Sequence, residues 1–314
     1  MVRVVPIELE TTFAEGTVNA FLVIGKTISL VDTGNPGKES FQQFKAKLEE
    51  NGVRLSDLDQ IVLTHIHIDH SGGIPYIQQE IDVPIYVHEM ASGPLNADRD
   101  DFEKAQQFFR DFITGCGANF DEHIVRRRYR KENWRNVEYL REGDTVRLGG
   151  AEFKVVHVPG HSQSDILLWN QESGISFAGD HLIKAFSVNA FIEPPDPGER
   201  ERPKPLLQYR DSLKKVRQLP LATIYPGHGE VFFDHIALID QRFQEQEKRC
   251  NQILHILEDG AKTIYEINRQ MYPHLHGQSV FLGLSQIQGH LDLLVSRQQV
   301  RFEQQGLIMI YHAI

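Results

Sequence analysis

The chain has 314 residues, of which 40% are hydrophobic and 24% charged; this fits one large globular domain, or a large domain with a small companion, and excludes a fibrous repeat. No stretch approaches the roughly 18 consecutive apolar residues of a membrane helix, so no membrane partner is expected. Net charge is −10, from 33 basic and 43 acidic residues, which speaks against a polyanion as a general partner.

Glu8 and Glu10 interrupt the opening segment where a secretory leader needs an apolar run. The two cysteines, Cys116 and Cys250, make no disulfide framework, so a reduced, cytoplasmic setting is expected. Short apolar runs predict strands over residues 2–9, 18–24 and 27–31, followed by a dense turn signal at 32–37. Phe41, Phe44 and Leu48 recur at helical spacing, and Gly52 closes that helix. Residues 61–63 read as a buried strand running into a histidine-rich segment, Gly72–Pro75 as a helix start, and 83–88 as a strand. Residues 90–135 read as a mostly helical insertion ending in a basic cluster. Strand signals return at 137–140, 145–148, 153–158, 166–169 and 175–177, and helical patterns at 205–219 and from 231. Strands followed by helices, twice over, imply an α/β architecture with two sheets.

The tail reads as a separate module. Ile236, Ile239, Phe243, Cys250, Ile253 and Leu257 mark a long amphipathic helix, Thr263 caps a short helix to Met271, and residues 282–296 form another. Residues 300–302 and 307–311 pair around Gly306 as a hairpin. The expected division is a catalytic domain over 1–235 and, over 236–314, a long helix with a small winged-helix-like domain.

Five islands hold the chemistry: Asp32-Thr33-Gly34, His65 to His70, Gly160-His161, Gly179-Asp180 and Gly227-His228. Taken alone, a Gly-His or Gly-Asp pair is more often a turn than a ligand. The segment His65, His67, Asp69, His70 is harder to explain that way. Residues i and i+2 of an extended segment project to one side, so His65 and His67 can share one ion while Asp69 and His70 turn toward a second. Imidazole and carboxylate suit zinc, manganese or iron, and His161, Asp180 and His228 supply the further donors, each beside a glycine.

In this order the islands resemble those of the metallo-β-lactamase-fold hydrolases, in the dinuclear branch that includes glyoxalase II, over about residues 1–235. The resemblance implies a four-layer αβ/βα sandwich with two divalent ions, zinc the first choice and iron or manganese the others. It implies that His65, His67 and His161 hold one ion, that Asp69, His70 and His228 hold the other, and that Asp180 bridges them. Asp32 would orient a ligand histidine through its ring N–H. Asp69 and Asp180 are the candidate catalytic carboxylates. The implied reaction is hydrolysis of a small thioester, ester or lactone by a metal-bound hydroxide, and no serine nucleophile is needed; Ser162 and Ser164 read as turn residues.

The main rival is a metal-dependent ribonuclease of the same fold. Its support is the tail and the basic run Arg126, Arg127, Arg128, Tyr129, Arg130, Lys131. Yet residues 251–314 hold four basic and five acidic side chains, whereas a module tracking phosphates is basic. Nucleic acid is therefore not the expected partner; a small-molecule substrate is, and the tail is expected to serve packing, a lid or a homodimer contact. Arg126, Arg127, Arg128 and Arg130 are read as a solvated face or as an anchor for an anionic part of the substrate. Tyr209 reads as core, and His181 as either pocket lining or a solvated loop residue.

Overall fold

A computed structural model describes residues 2–11, 16–120, 128–195, 199 and 201–314, and the chain separates into two compact units. The first unit comprises Met1–Leu95, Glu132–Val188 and Ser212–Leu238. It contains two sheets. The first has six strands in sequence order: β1 (Arg3–Glu10), β2 (Thr17–Ile24), β3 (Ile28–Val31), β4 (Gln60–Val62), β5 (Ile85–His88) and β6 (Val137–Leu140). β1, β2 and β3 run antiparallel to one another, and β3 through β6 are parallel. The second sheet has the order β11-β10-β9-β8-β7, from β7 (Thr145–Leu148), β8 (Ala151–His157), β9 (Ile166–Trp169), β10 (Ile175–Gly179) and β11 (Thr223–Pro226). Only β10 and β11 are parallel there.

The burial of each strand follows its surroundings. β1 alternates, with Ile7 and Leu9 buried between exposed Glu8 and Glu10, as befits an edge strand with one covered face. β2 is buried almost throughout because both faces are covered. Phe21, Val23, Val31 and Val62 of the first sheet form one core with Phe153, Val155, Leu168 and Phe177 of the second. The Phe177 ring lies 5.4 Å from Phe21, 5.6 Å from Phe153 and 5.4 Å from Tyr225. Truncating such an aromatic to alanine costs about 3–5 kcal/mol. On its other face the first sheet packs Leu22, Leu30 and Ile61 against Phe44 and Leu48 of helix α1 (Lys38–Glu50). Two sheets face to face with helices outside them give the four-layer α/β sandwich.

After β4 the chain makes two short helices: α3 (Ile74–Ile77) starts within the expected Gly72–Pro75 segment with Pro75 in its first turn, and a further helix, α2 (Ile68–Ser71), precedes it. The additional helix α2 is closed by backbone bonds from the His70 and Ser71 amides to the His67 carbonyl.

The second unit comprises Asn96–Lys131, Asn189–Asp211 and Ile239–Ile314. After the short helix α4 (Ser92–Asn96), helix α5 (Arg99–Gly115) begins at Asp98, which makes a capping box with Asp101. Helices α6 (Pro205–Val216) and α7 (His235–Glu258) follow in the sequence. Thr263 and Glu266 make a second capping box at α8 (Ile264–Met271), and α9 runs over Val280–Ser296. A three-stranded sheet has the order β12-β14-β13, from β12 (Lys262–Thr263), β13 (Val300–Gln305) and β14 (Ile308–Ala313). Phe281 of α9 meets Phe109 and Phe112 of α5 at 5.7 and 6.2 Å, so the insertion and the tail share one core. Tyr209 is buried, as its helical spacing predicts.

Candidate metal centre

The islands all lie where strands of the first unit end. Asp32 follows β3, the histidine segment follows β4, His161 follows β8, Asp180 follows β10 and His228 follows β11. A register shift between Phe177 and Gly179 disturbs the β10–β11 ladder just before Asp180. Gly227 lets the two loops meet: a Cβ there would collide with Asp180 Oδ1 and lie 2.6 Å from His70 Cε1.

Three groups of side chains come within reach of a common cation: His65, His67 and His161; His65, His70 and Asp180; and Asp69, His70 and His228. His67 Nδ1 lies 2.8 Å from His161 Nε2, and the His65 ring is 4.7 Å from His67 and 5.2 Å from His161. Asp180 sits among the three groups. Its Oδ1 is 3.2 Å from His70 Nε2, and its Oδ2 is 3.4 Å from His161 Nε2 and 3.5 Å from His228 Nε2. Asp69 Oδ2 is 3.4 Å from His228 Nε2.

The outer nitrogens of these rings are held by oxygen. His70 Nδ1 is 3.0 Å from Asp32 Oδ2, His228 Nδ1 donates to the Thr17 carbonyl at 2.7 Å, and His65 Nδ1 is 3.1 Å from Thr64 Oγ1 and 3.6 Å from Asp165 Oδ1. With each Nδ1 protonated, each Nε2 is the ring atom turned inward, and it offers a lone pair to a cation once it gives up any second proton. The Nε2 atoms of His65, His70 and His228 and Asp180 Oδ1 are buried and make no hydrogen bond among the described residues. Buried polar atoms are normally paired, so converging bare donors of this kind fit a cation. Asp32 is itself fixed: its two oxygens accept from the amide and the hydroxyl of Thr64, each at 2.8 Å. Its backbone has φ 59°, the left-handed region that aspartate and asparagine tolerate best after glycine.

The electrostatics agree with that reading. Burial, aided by the charge on His70, pushes His65 well below the ordinary imidazole range. Burial and His161 push His67 to about 3. Burial opposes protonation of His70 and His228 as well. Asp180 and Asp32 nevertheless hold His70 well above its usual value, and the adjacent carboxylates of Asp180 and Asp69 raise His228 to about 9. Asp180 is held well below the carboxylate range: burial acts against this, and the charge on His70 and the nearby His228 ring outweigh it. Three carboxylates, Asp32, Asp69 and Asp180, thus draw protons onto two imidazoles, a demand for positive charge that cations would meet instead.

Residues that the sequence reading passed over complete the frame. Asn19 Nδ2 donates to the Pro226 and Gly229 carbonyls at 3.0 and 2.8 Å, bracing the His228 loop. Asp165 accepts from the Ser162 amide at 3.0 Å and faces His65. Ser162 Oγ and Ser164 Oγ lie 3.1 Å apart in a buried turn, as expected of turn residues. His181 is fully buried, so it is not a solvated loop residue. Phe186, which no sequence signal singled out, sets its ring 5.7 Å from His228. Arg128 and Arg130 are exposed and belong to the second unit, while Arg126 and Arg127 lie outside the described residues.

This fold and donor set define a metallo-hydrolase of the β-lactamase type, a class that works with divalent metal ions. The chain belongs to the metallo-β-lactamase superfamily, whose family model matches residues 14–228. It is 32% identical to the probable metallo-hydrolase YqjP of Bacillus subtilis, over 95% of this chain and 93% of that protein. It is 24% identical to an atrochrysone carboxyl ACP thioesterase of Aspergillus fumigatus, over 78% of this chain and 61% of that protein. Among solved structures, a metallo-β-lactamase family protein of Thermus thermophilus, TTHA1429, superposes with a TM-score of 0.82 at 23% identity, covering 99% of this chain and 98% of its own.

Proposed function

We propose that this protein is a dinuclear hydrolase of small carbonyl substrates, thioesters foremost, with esters and lactones in the same class. The observation that carries this reading is that the buried, unpaired imidazole nitrogens of His65, His70 and His228 and a carboxylate oxygen of Asp180 fall in adjoining donor groups, each within reach of a common cation. In it, His65, His67 and His161 hold one divalent cation, Asp69, His70 and His228 hold a second, and Asp180 serves both. Zinc fits the nitrogen-rich donor set best. When bound, such ions supply hydroxide at neutral pH and polarise a carbonyl oxygen.

The protein's own groups do the rest. Asp32 fixes the His70 ring by accepting from its Nδ1. The Thr17 carbonyl does the same for His228. Asp69 is ionised at neutral pH: burial opposes this, but the nearby His228 ring and the charge on His70 prevail. In this reading Asp69 Oδ2 takes the proton of the attacking water and returns it to the leaving thiolate or alkoxide. The similarity to a named thioesterase supports the thioester choice.

The test is metal analysis followed by a substrate panel of thioesters, lactones, phosphodiesters, β-lactams and single-stranded RNA. Two metals per chain with thioester or lactone turnover, both lost in Asp180→Ala, is the expected result. Metal-dependent RNA cleavage without ester turnover makes the ribonuclease reading the better one.

A further inference from the structure

His157 closes β8 four residues before His161, and the loop between them carries one of the groups placed at the metal centre. The loop is tied at its base, where the Val158 amide donates to the Asp165 carbonyl and the Ile166 amide to that of Thr64, both at 2.9 Å. Two further bonds come from outside the loop backbone. Ser212 Oγ donates to the Pro159 carbonyl at 2.9 Å, and His157 Nε2 lies 2.8 Å from the Gln163 carbonyl. A carbonyl only accepts, so His157 carries its proton on Nε2.

The His157 ring is held in plane from one side. It stacks on His88 with centroids 3.8 Å apart and an interplanar angle of 16°. His88 Nδ1 accepts weakly from the Met90 amide at 3.4 Å, which leaves that ring's proton on Nε2. The backbone of His157 is held too: its amide donates to Glu142 Oε2 at 2.5 Å and its carbonyl accepts from Lys215 Nζ at 2.7 Å. The charged groups around the stack are Glu89, paired with Arg141, together with Glu142, Asp144 and Lys215. Burial keeps both imidazoles below their ordinary range, so at neutral pH two uncharged rings stack without repulsion. No step of the hydrolytic reading uses either histidine.

We propose that His157, clamped against His88, is the positioning residue for His161: its Nε2–H to the Gln163 carbonyl sets the curvature of loop 158–165 and thereby the direction of the His161 ring. The inference rests on the assignment of His161 as a metal ligand. A partner that orients a ligand commonly changes metal affinity by about 10–100-fold, and one acting through the loop backbone belongs at the lower end.

Two substitutions separate the hydrogen bond from the packing. His157→Phe keeps a stacking ring and removes the donor. His157→Gln removes the ring and keeps a donor at the same bond distance from the backbone. Each variant of the full chain is compared with the parent in two measurements: amide hydrogen exchange of residues 158–165 in the metal-free protein, and zinc affinity by chelator competition. For His157→Phe the expected result is faster exchange in that loop and about tenfold weaker zinc binding, with His157→Gln restoring most of both. Parent-like exchange and affinity in His157→Phe overturn the proposal, and so does a His157→Gln variant as impaired as His157→Phe. A parent protein that takes up no zinc refutes the ligand assignment instead, and the exchange measurement still decides whether His157 pins the loop.

Discussion

Asp32 Oδ2 lies 3.0 Å from His70 Nδ1, and the same carboxylate accepts from the amide and hydroxyl of Thr64. One buried aspartate thus ties the end of β3 to the loop that presents His65 and His70. Asp32→Asn keeps the size and tolerates φ 59°, but it exchanges one acceptor oxygen for an NH2 group. The His70 ring then loses its fixed orientation. The expected outcome is a metal affinity lower by about 10–100-fold with the fold intact. Chelator competition beside circular dichroism checks it, and parent-like affinity contradicts the orienting role.

Gly227 approaches Asp180 and His70 more closely than any side chain allows. Gly227→Ala must therefore push one of the two facing loops away. Overpacking of this kind costs about 1–3 kcal/mol. Because the clash falls on Asp180 Oδ1 itself, metal content should fall along with stability. Urea melts with elemental analysis test this; a variant that keeps its full metal complement shows that the loops adjust freely.

The site was legible because its chemistry is concentrated. Three histidines and an aspartate within six residues after an apolar strand have few ordinary explanations, and the remaining donors each sit beside glycine. The partners of those donors were not legible. The Thr17 carbonyl on His228 is a backbone atom and leaves no mark in the sequence. Asp165 and Asn19 are common loop and strand residues whose roles come from strands far apart in the chain. The strands themselves were largely readable from apolar runs, but β12 is only two residues long and exists through its pairing with β14. The contact of Phe281 with Phe109 and Phe112 joins segments about 170 residues apart, which no local periodicity announces.

His70 and His228 take up protons in the metal-free protein because Asp180, Asp32 and Asp69 surround them. Both are raised, His70 well above the ordinary imidazole range and His228 to about 9. Metal loading at pH 7 should therefore expel a proton from each ring, and apparent affinity should fall as pH is lowered. Titration calorimetry in two buffers of different ionisation enthalpy counts the protons released. The release attributable to His228 should fade as pH rises through about 9. A proton count independent of pH across that range contradicts the assignment.

His88 gives the opposite dependence, in stability rather than binding. Burial, reinforced by the neighbouring His157, lowers its folded value to about 4 from an ordinary 6.5. The unfolded chain therefore binds a proton at a pH where the folded chain does not. Above pH 6.5 neither state is protonated and there is no cost. Between 6.5 and about 4 the unfolded state gains, so stability falls with acidification, by at most about 1.4 kcal/mol per pH unit from this one residue. Below about 4 both states are protonated and the loss levels off. His88→Phe keeps a ring against His157 and removes this titration. Urea melts of the metal-free protein at pH 7, 6 and 5 should show a shallower decline for the variant than for the parent. Equal slopes would mean that His88 titrates alike in the folded and unfolded chains, and that the His88–His157 stack tolerates charge.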